Sequence, residues 1–260
     1  AGQNGVRIEY VETNSDWYTG PKEARRTLQS LRRRGLNTLL VSISPFHHQF
    51  VPFYRIQGVM ASCREVGIHI FPWVTEFIAD LASFDSHATP SLEAYADKFG
   101  EDYLLRVLQR YWIHMGGRAL LTYQKLLPSK PVEKLLQQNP GGCLRELFDT
   151  SHFHMDLFNN YIPGLCTGLA IDSRDLVEPL QAEKYPLITC LLDKGIAGLF
   201  EYARRHYGFK PAKSEYLNKC DLCTEIRAHL FDHTEYERTW PELQPPGFYT
   251  QYRRDRPAHK

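Results

Sequence analysis

The nine residues at 36–44, LNTLLVSIS, decide how the first half of the chain folds. Leu39, Leu40 and Val41 run on without alternation, and a short apolar run of this kind is what a parallel strand covered on both faces looks like. Two further runs have the same character, VRIEYVET at 6–13 and GIHIFPWVTE at 67–76. Between the first and second lies PKEARRTLQSLRRRG (21–35). Between the second and third lies RIQGVMASCREVG (55–67), where Ile56, Val59, Met60, Cys63 and Val66 recur at helical spacing. Strand, helix, strand, helix, strand with short crossovers predicts an α/β fold laid out as part of a (β/α) TIM-like barrel. Polar residues at the C-terminal strand ends then gather at one mouth: Glu12, Thr13, Asn14, Ser42, Ser44, His47, His48, Trp73 and Glu76. The same residue types also cap helices and make turns, and Asn14 and Ser15 stand where a turn would. If His47 and His48 continue the strand they point to opposite faces, and only one enters the mouth.

Composition narrows the setting. The chain has 260 residues, 43% of them hydrophobic and 23% charged, enough to bury a sizeable core. Lysine and arginine (31) nearly balance aspartate and glutamate (30), so no global field draws the chain to nucleic acid. The basic run at 23–35 reads as the solvated face of a helix whose apolar edge is Leu28 and Leu31. No stretch approaches the roughly 18 apolar residues of a membrane span and no signal peptide opens the chain, so the expectation is a cytoplasmic protein without membrane contact.

In that setting six cysteines point to thiols or metal ligands before disulfides. Cys63 falls on the apolar helix face, and Cys190 lies among Leu187, Leu191 and Leu192, so both read as core. Cys143 follows NPGG, Cys166 ends NNYIPGLC, and Cys220 and Cys223 form Cys-x-x-Cys in YLNKCDLCTEIRAHLF (216–231). Turn-rich loops and a two-residue spacing allow thiolates to converge on one ion or cluster, and Lys219 and Arg227 nearby favour thiolate. Unligated cysteines and a redox-active pair remain the alternatives, although no thioredoxin-like strand precedes the pair.

The order ETNS, GLNTLLVSISPFHHQFVPF, GIHIFPWV and MGGRALL (115–121) resembles the middle of a radical S-adenosylmethionine enzyme barrel, and the chain beyond residue 121 resembles the SPASM or twitch extension of that family. The resemblance covers about residues 6–231, with residues 1–122 as a partial barrel and 123–260 as a small cluster-binding extension and tail. It implies that Cys143, Cys166, Cys220 and Cys223 hold an auxiliary 4Fe-4S cluster, and that Glu12, Asn14, Ser42 and Ser44 bind cofactor or substrate. In the family's hairpin a glycine precedes the second cysteine; here Asn159 or Asn160 takes that place, which asparagine's tolerance of left-handed backbone permits. The Cys-x3-Cys-x2-Cys loop and the Gly-Gly-Glu phrase of the family do not occur, and the chain looks like the last two-thirds of such an enzyme. In the intact enzyme a second 4Fe-4S cluster and S-adenosylmethionine generate a 5′-deoxyadenosyl radical that takes a hydrogen from substrate. The family's substrates include peptides, sugars and cofactors, and a reductant protein is an expected partner.

Two readings compete. One is a barrel module without radical chemistry in which the same four thiolates hold structural zinc. The other is a metal-dependent barrel hydrolase or isomerase with His47, His69, His87 or His114 on the ion. His152 or His154, flanking Phe153, could replace one cysteine. The tail at 238–260 has no periodicity and reads as surface wrapping or disorder.

Overall fold

The computed structural model describes residues 5, 7–149, 153–233 and 241–255. The chain folds into two units, residues 1–112 and 113–260, a division ten residues before the expected one.

The first unit is built on three parallel strands, β1 (Val11–Thr13), β2 (Thr38–Ser42) and β3 (His69–Trp73), hydrogen-bonded in that order. The crossovers are α1 (Pro21–Arg33), then α2 (Pro45–His48) and α3 (Phe53–Val66). Pro21 presets the first turn of α1, and Gly67, left-handed at φ 71°, closes α3 just before β3. Ala24 and Leu28 of α1, and Ile56, Val59, Cys63 and Val66 of α3, are buried as their spacing requires. After β3 come α4 (Ile78–Ala82), α5 (Leu92–Phe99) and α6 (Tyr103–Arg110), packed through the stacked rings of Tyr95, Phe99 and Tyr103.

The unit is mixed α/β, and its three strands close no barrel among the described residues. The first strand is also shorter than the run at 6–13: residues 7–10 pair with nothing, and Val6 lies outside the described residues. Only the central strand is covered on both faces. Tyr10, Phe71 and Trp73 stand 38–42% exposed on the face that also carries Glu12 and Ser42. In β2 four consecutive residues, Leu39 to Ser42, are buried, which is the burial on both faces that its continuous apolar run predicts.

The second unit is no small extension. It contains α7 (Arg118–Tyr123), β4 (Lys130–Pro131), α8 (Val132–Gln138), α9 (Leu144–Phe148), β5 (Phe153–Met155), β6 (Asn160–Pro163), β7 (Ile171–Asp172), α10 (Pro186–Tyr207), β8 (Glu215–Tyr216), α11 (Lys219–His233) and α12 (Pro246–Asp255). β5, β6 and β7 form an antiparallel sheet, and β4 pairs with β8. The core joins Leu147, Tyr161, Leu187, Leu191, Leu199, Leu222, Ile226 and Tyr249 from most of these elements. The expected surface tail is part of it: Glu242, Leu243 and Tyr249 are fully buried. The missed signal is short, because one helix of ten residues places a single aromatic in the core and leaves little periodicity. Residues 238–240 and 256–260 lie outside the described residues. No described helix is long and apolar enough to cross a membrane.

Candidate metal centre

The Cys-x-x-Cys pair occupies the first turns of α11. Asn218 sets that start by accepting the Asp221 amide at 2.9 Å while donating from Nδ2 to the Met115 carbonyl at 2.9 Å. Asp221, 1% exposed, accepts the Leu217 amide at 3.1 Å and the Lys213 ammonium at 3.3 Å. Three-residue spacing on a helix then turns Cys220 and Cys223 to one side.

Cys143 reaches the same place through a break in α10. Gly195 has φ 58° and ψ −154°, so the helix is interrupted, and the Leu191 carbonyl accepts the Cys143 amide at 2.8 Å. The approach is close enough to demand glycine on both sides. A Cβ on Gly142 would stand 1.7 Å from the Leu192 carbonyl oxygen, and one on Gly195 would stand 2.1 Å from that of Gly141.

Cys166 follows the β5–β6 hairpin. Asn159 turns it at φ 69°, the left-handed position expected of Asn159 or Asn160. Asp156 holds the turn by accepting the amides of Phe158 at 2.8 Å and Asn160 at 2.9 Å. Two further bonds, from the Cys166 amide to Pro163 and from the Leu169 amide to Cys166, present the thiol inward.

All four cysteines line one cavity of about 30 Å³, together with Glu146, Leu165, Leu169, Leu191, Ile196, Lys219 and Arg227. The space is that of roughly two or three water-sized bodies. No two of the six cysteines are disulfide-bonded. Burial pushes the thiol of Cys143 up to about 11 and that of Cys220 up to about 12, and raises Cys166 well above the ordinary range. Lys219 and Arg227 oppose this, as the sequence suggests, but desolvation prevails and the neighbouring sulfurs add to it. Such thiols ionise only if a cation joins them, and a tetrathiolate donor set suits zinc or an iron–sulfur cluster. As the side chains lie, no three His, Cys, Asp or Glu groups among the described residues are drawn together closely enough to hold an ion. Ligation would require the four thiols to turn into the cavity they line.

Glu146 is the lining residue that sequence reasoning missed. It reaches Lys219 at 2.7 Å from α9, and nothing in its local sequence marks it. Cys190, on α10, is half-buried and packs against the core of the second unit, and Cys63 is fully buried in the first unit. His154 is exposed on β5 and does not line the cavity, while His152 lies outside the described residues.

In the first unit the expected mouth is only partly assembled. Ser42, at the end of β2, donates to Glu12 at 3.1 Å. Ser44 caps α2 by accepting the His47 amide at 3.3 Å, and its hydroxyl meets His47 Nδ1 at 2.8 Å. His47 and His48 stand on this short helix and not on a strand. His47 faces Glu12, whose charge partly offsets the lowering of the imidazole by burial. His48 enters the core, its Nδ1 2.6 Å from the Tyr95 hydroxyl. Asn14 is an exposed turn residue that accepts the Asp16 amide at 3.0 Å, and Thr13 accepts the Ser15 amide and the Trp17 indole. Trp73 donates to the Tyr111 hydroxyl at 2.9 Å, and the Glu76 carbonyl accepts Arg110 at 2.5 Å. Within the first unit, the histidines of the hydrolase reading are dispersed. His69 begins β3, at the opposite edge of the sheet from His47, His87 stacks on Tyr54, and His114 belongs to the second unit.

No protein-family model, curated protein or solved structure matches this chain.

Proposed function

We propose that the second unit carries a metal centre on the thiolates of Cys143, Cys166, Cys220 and Cys223, and that this centre is a 4Fe-4S cluster of the auxiliary kind found in radical S-adenosylmethionine enzymes. One observation carries the metal reading: cysteines from three separate segments, spanning residues 143–223, line a single cavity. The identity of the metal rests on the resemblance of the sequence. A bound cluster would supply one-electron transfer. The chain's own part is to exclude water with Leu165, Leu169, Leu191 and Ile196 and to place cationic Lys219 and Arg227 beside the sulfurs. In the same reading, the open face of the three-stranded sheet, with Glu12 and Ser42 hydrogen-bonded at its edge, belongs to the barrel wall that faces S-adenosylmethionine and a peptide or small-molecule substrate. A reductant protein would deliver the electrons.

The small volume of the cavity favours a second reading, a single zinc ion in the same thiolates with a structural role. Anaerobic purification followed by metal and sulfide analysis separates the two. The cluster gives a brown protein with iron and labile sulfide in equal amounts, and zinc gives a colourless one. Serine at any of the four cysteines should abolish retention, and Cys63→Ser and Cys190→Ser should preserve it. A folded chain that holds neither metal after reconstitution refutes both readings.

A further inference from the structure

We propose that Arg227 is the fixed counter-charge of the cysteine cavity, so that the cavity is built for a centre whose ligands leave it net negative. The inference rests on the four-thiolate reading and adds to it a residue that positions charge without ligating.

Arg227 follows Cys223 by one helical turn on α11, which turns both side chains to the same side. The residue is 4% exposed and lines the cavity. Its guanidinium donates to the Thr167 carbonyl at 2.9 Å, the Tyr249 hydroxyl at 3.1 Å and the Thr224 hydroxyl at 3.2 Å. Each of these partners is neutral. Of its remaining donors, Nε is buried with no hydrogen-bond partner. Among the described residues no carboxylate forms an ion pair with Arg227, whereas the other cation at the cavity, Lys219, is paired with Glu146 at 2.7 Å. With that pair cancelling, the fixed charges around the cavity sum to one positive charge.

A guanidinium withdrawn from water without an anion is among the costliest arrangements a core can hold. Four neutral thiols leave it in that condition, and so does a disulfide between any two of them. Four thiolates around a divalent ion, or around a cluster core of the same charge, bear two more negative charges than positive ones, and Arg227 offsets one of these in a low-dielectric setting. The carbonyls it holds belong to Thr167 and, through the Tyr249 hydroxyl, Gly168, so the same group also fixes the backbone after Cys166.

The test is an anaerobic titration of the full chain with Co²⁺ alone, a thiolate-sensitive probe, in the wild type, Arg227→Met and Arg227→Lys, with the thermal stability of each metal-free protein measured in parallel. The expected result is a loss of Co²⁺ affinity of tenfold or more in Arg227→Met and substantial recovery in Arg227→Lys. The metal-free Arg227→Met protein should keep its fold and most of its stability, because removal of an uncompensated buried charge offsets the loss of the three hydrogen bonds. A purely structural arginine would instead sharply lower metal-free stability, and loss of the metal-free fold in Arg227→Met would overturn the proposal. Equal Co²⁺ affinity in wild type and Arg227→Met would also overturn it and leave the four-thiolate reading standing. Failure of the wild type to take Co²⁺ would sink that reading itself.

Discussion

Glu242→Gln should stabilise the second unit at pH 8 and do so only about a quarter as much at pH 5. The Glu242 carboxyl is fully buried, accepts the Leu187 amide at 2.6 Å at the start of α10, and has its second oxygen unpartnered. Burial raises its pKa from 4.5 to about 7. A carboxyl whose folded pKa lies above its unfolded value binds more protons in the folded state. The stability due to the neutral form is therefore complete below about pH 4.5 and is lost as pH rises through 7. A difference of about 2.5 units at about 1.4 kcal/mol each gives at most about 3.5 kcal/mol. The positive end of the α10 dipole favours the anion and reduces this by roughly 1 kcal/mol. Glutamine keeps the acceptor for Leu187 and cannot ionise. The expected gain at pH 8 is thus about 2–3 kcal/mol, which in a unit of this size raises the melting temperature by roughly 4–12 °C. Hydrogen exchange of α10 amides at the two pH values localises the effect to this unit, which matters because a two-unit chain need not melt in one step. An equal difference at pH 5 and pH 8, or a glutamine variant less stable at pH 8, would refute the reasoning.

Gly142→Ala should destabilise the second unit by about 3 kcal/mol or more and lower metal retention, because its Cβ would overlap the Leu192 carbonyl at 1.7 Å and displace Cys143; unchanged melting and metal content would count against the clip between the cysteine loop and α10. Metal binding should release at least three protons per ion at pH 7, one each from Cys143, Cys166 and Cys220, all held protonated by burial, and affinity should rise with pH. Calorimetry in two buffers of different ionisation enthalpy reads this number, and fewer than one proton would mean that those thiols are not the ligands.

The alternation of strands and helices was legible because continuous apolar runs and helical spacing are local signals, and Cys63 could be placed in a core for the same reason. The barrel was not, because closure depends on strands pairing beyond the three present, and a run of apolar residues in β2 looks the same in a central strand of an open sheet. Cys143 and Cys166 could be sorted from Cys63 and Cys190 by their turn-rich surroundings, and Cys220 and Cys223 by their two-residue spacing. The approach of Cys143 depends on the break at Gly195, and the apolar run around Cys190 carries no signal of that break. The electrostatics of the cavity were hidden in a different way. Lys219 and Arg227 are equally visible as cations near Cys-x-x-Cys, yet only folding brings Glu146 to the first and leaves the second without an anion. Asn14 and Ser44 show the converse, since residue types suited to a cofactor site are occupied here by a turn and a helix cap.

The burial of Tyr249 has a consequence for the order of biosynthesis. Its hydroxyl donates to the Gly168 carbonyl and accepts from Arg227, so one wall of the cysteine cavity is braced by a residue that leaves the ribosome after all four cysteines. A nascent chain that has only just exposed Cys223 offers those thiols from an unsealed core. The order in which the chain emerges therefore leaves Arg227 and the Gly168 carbonyl without their Tyr249 partner until α12 has been made.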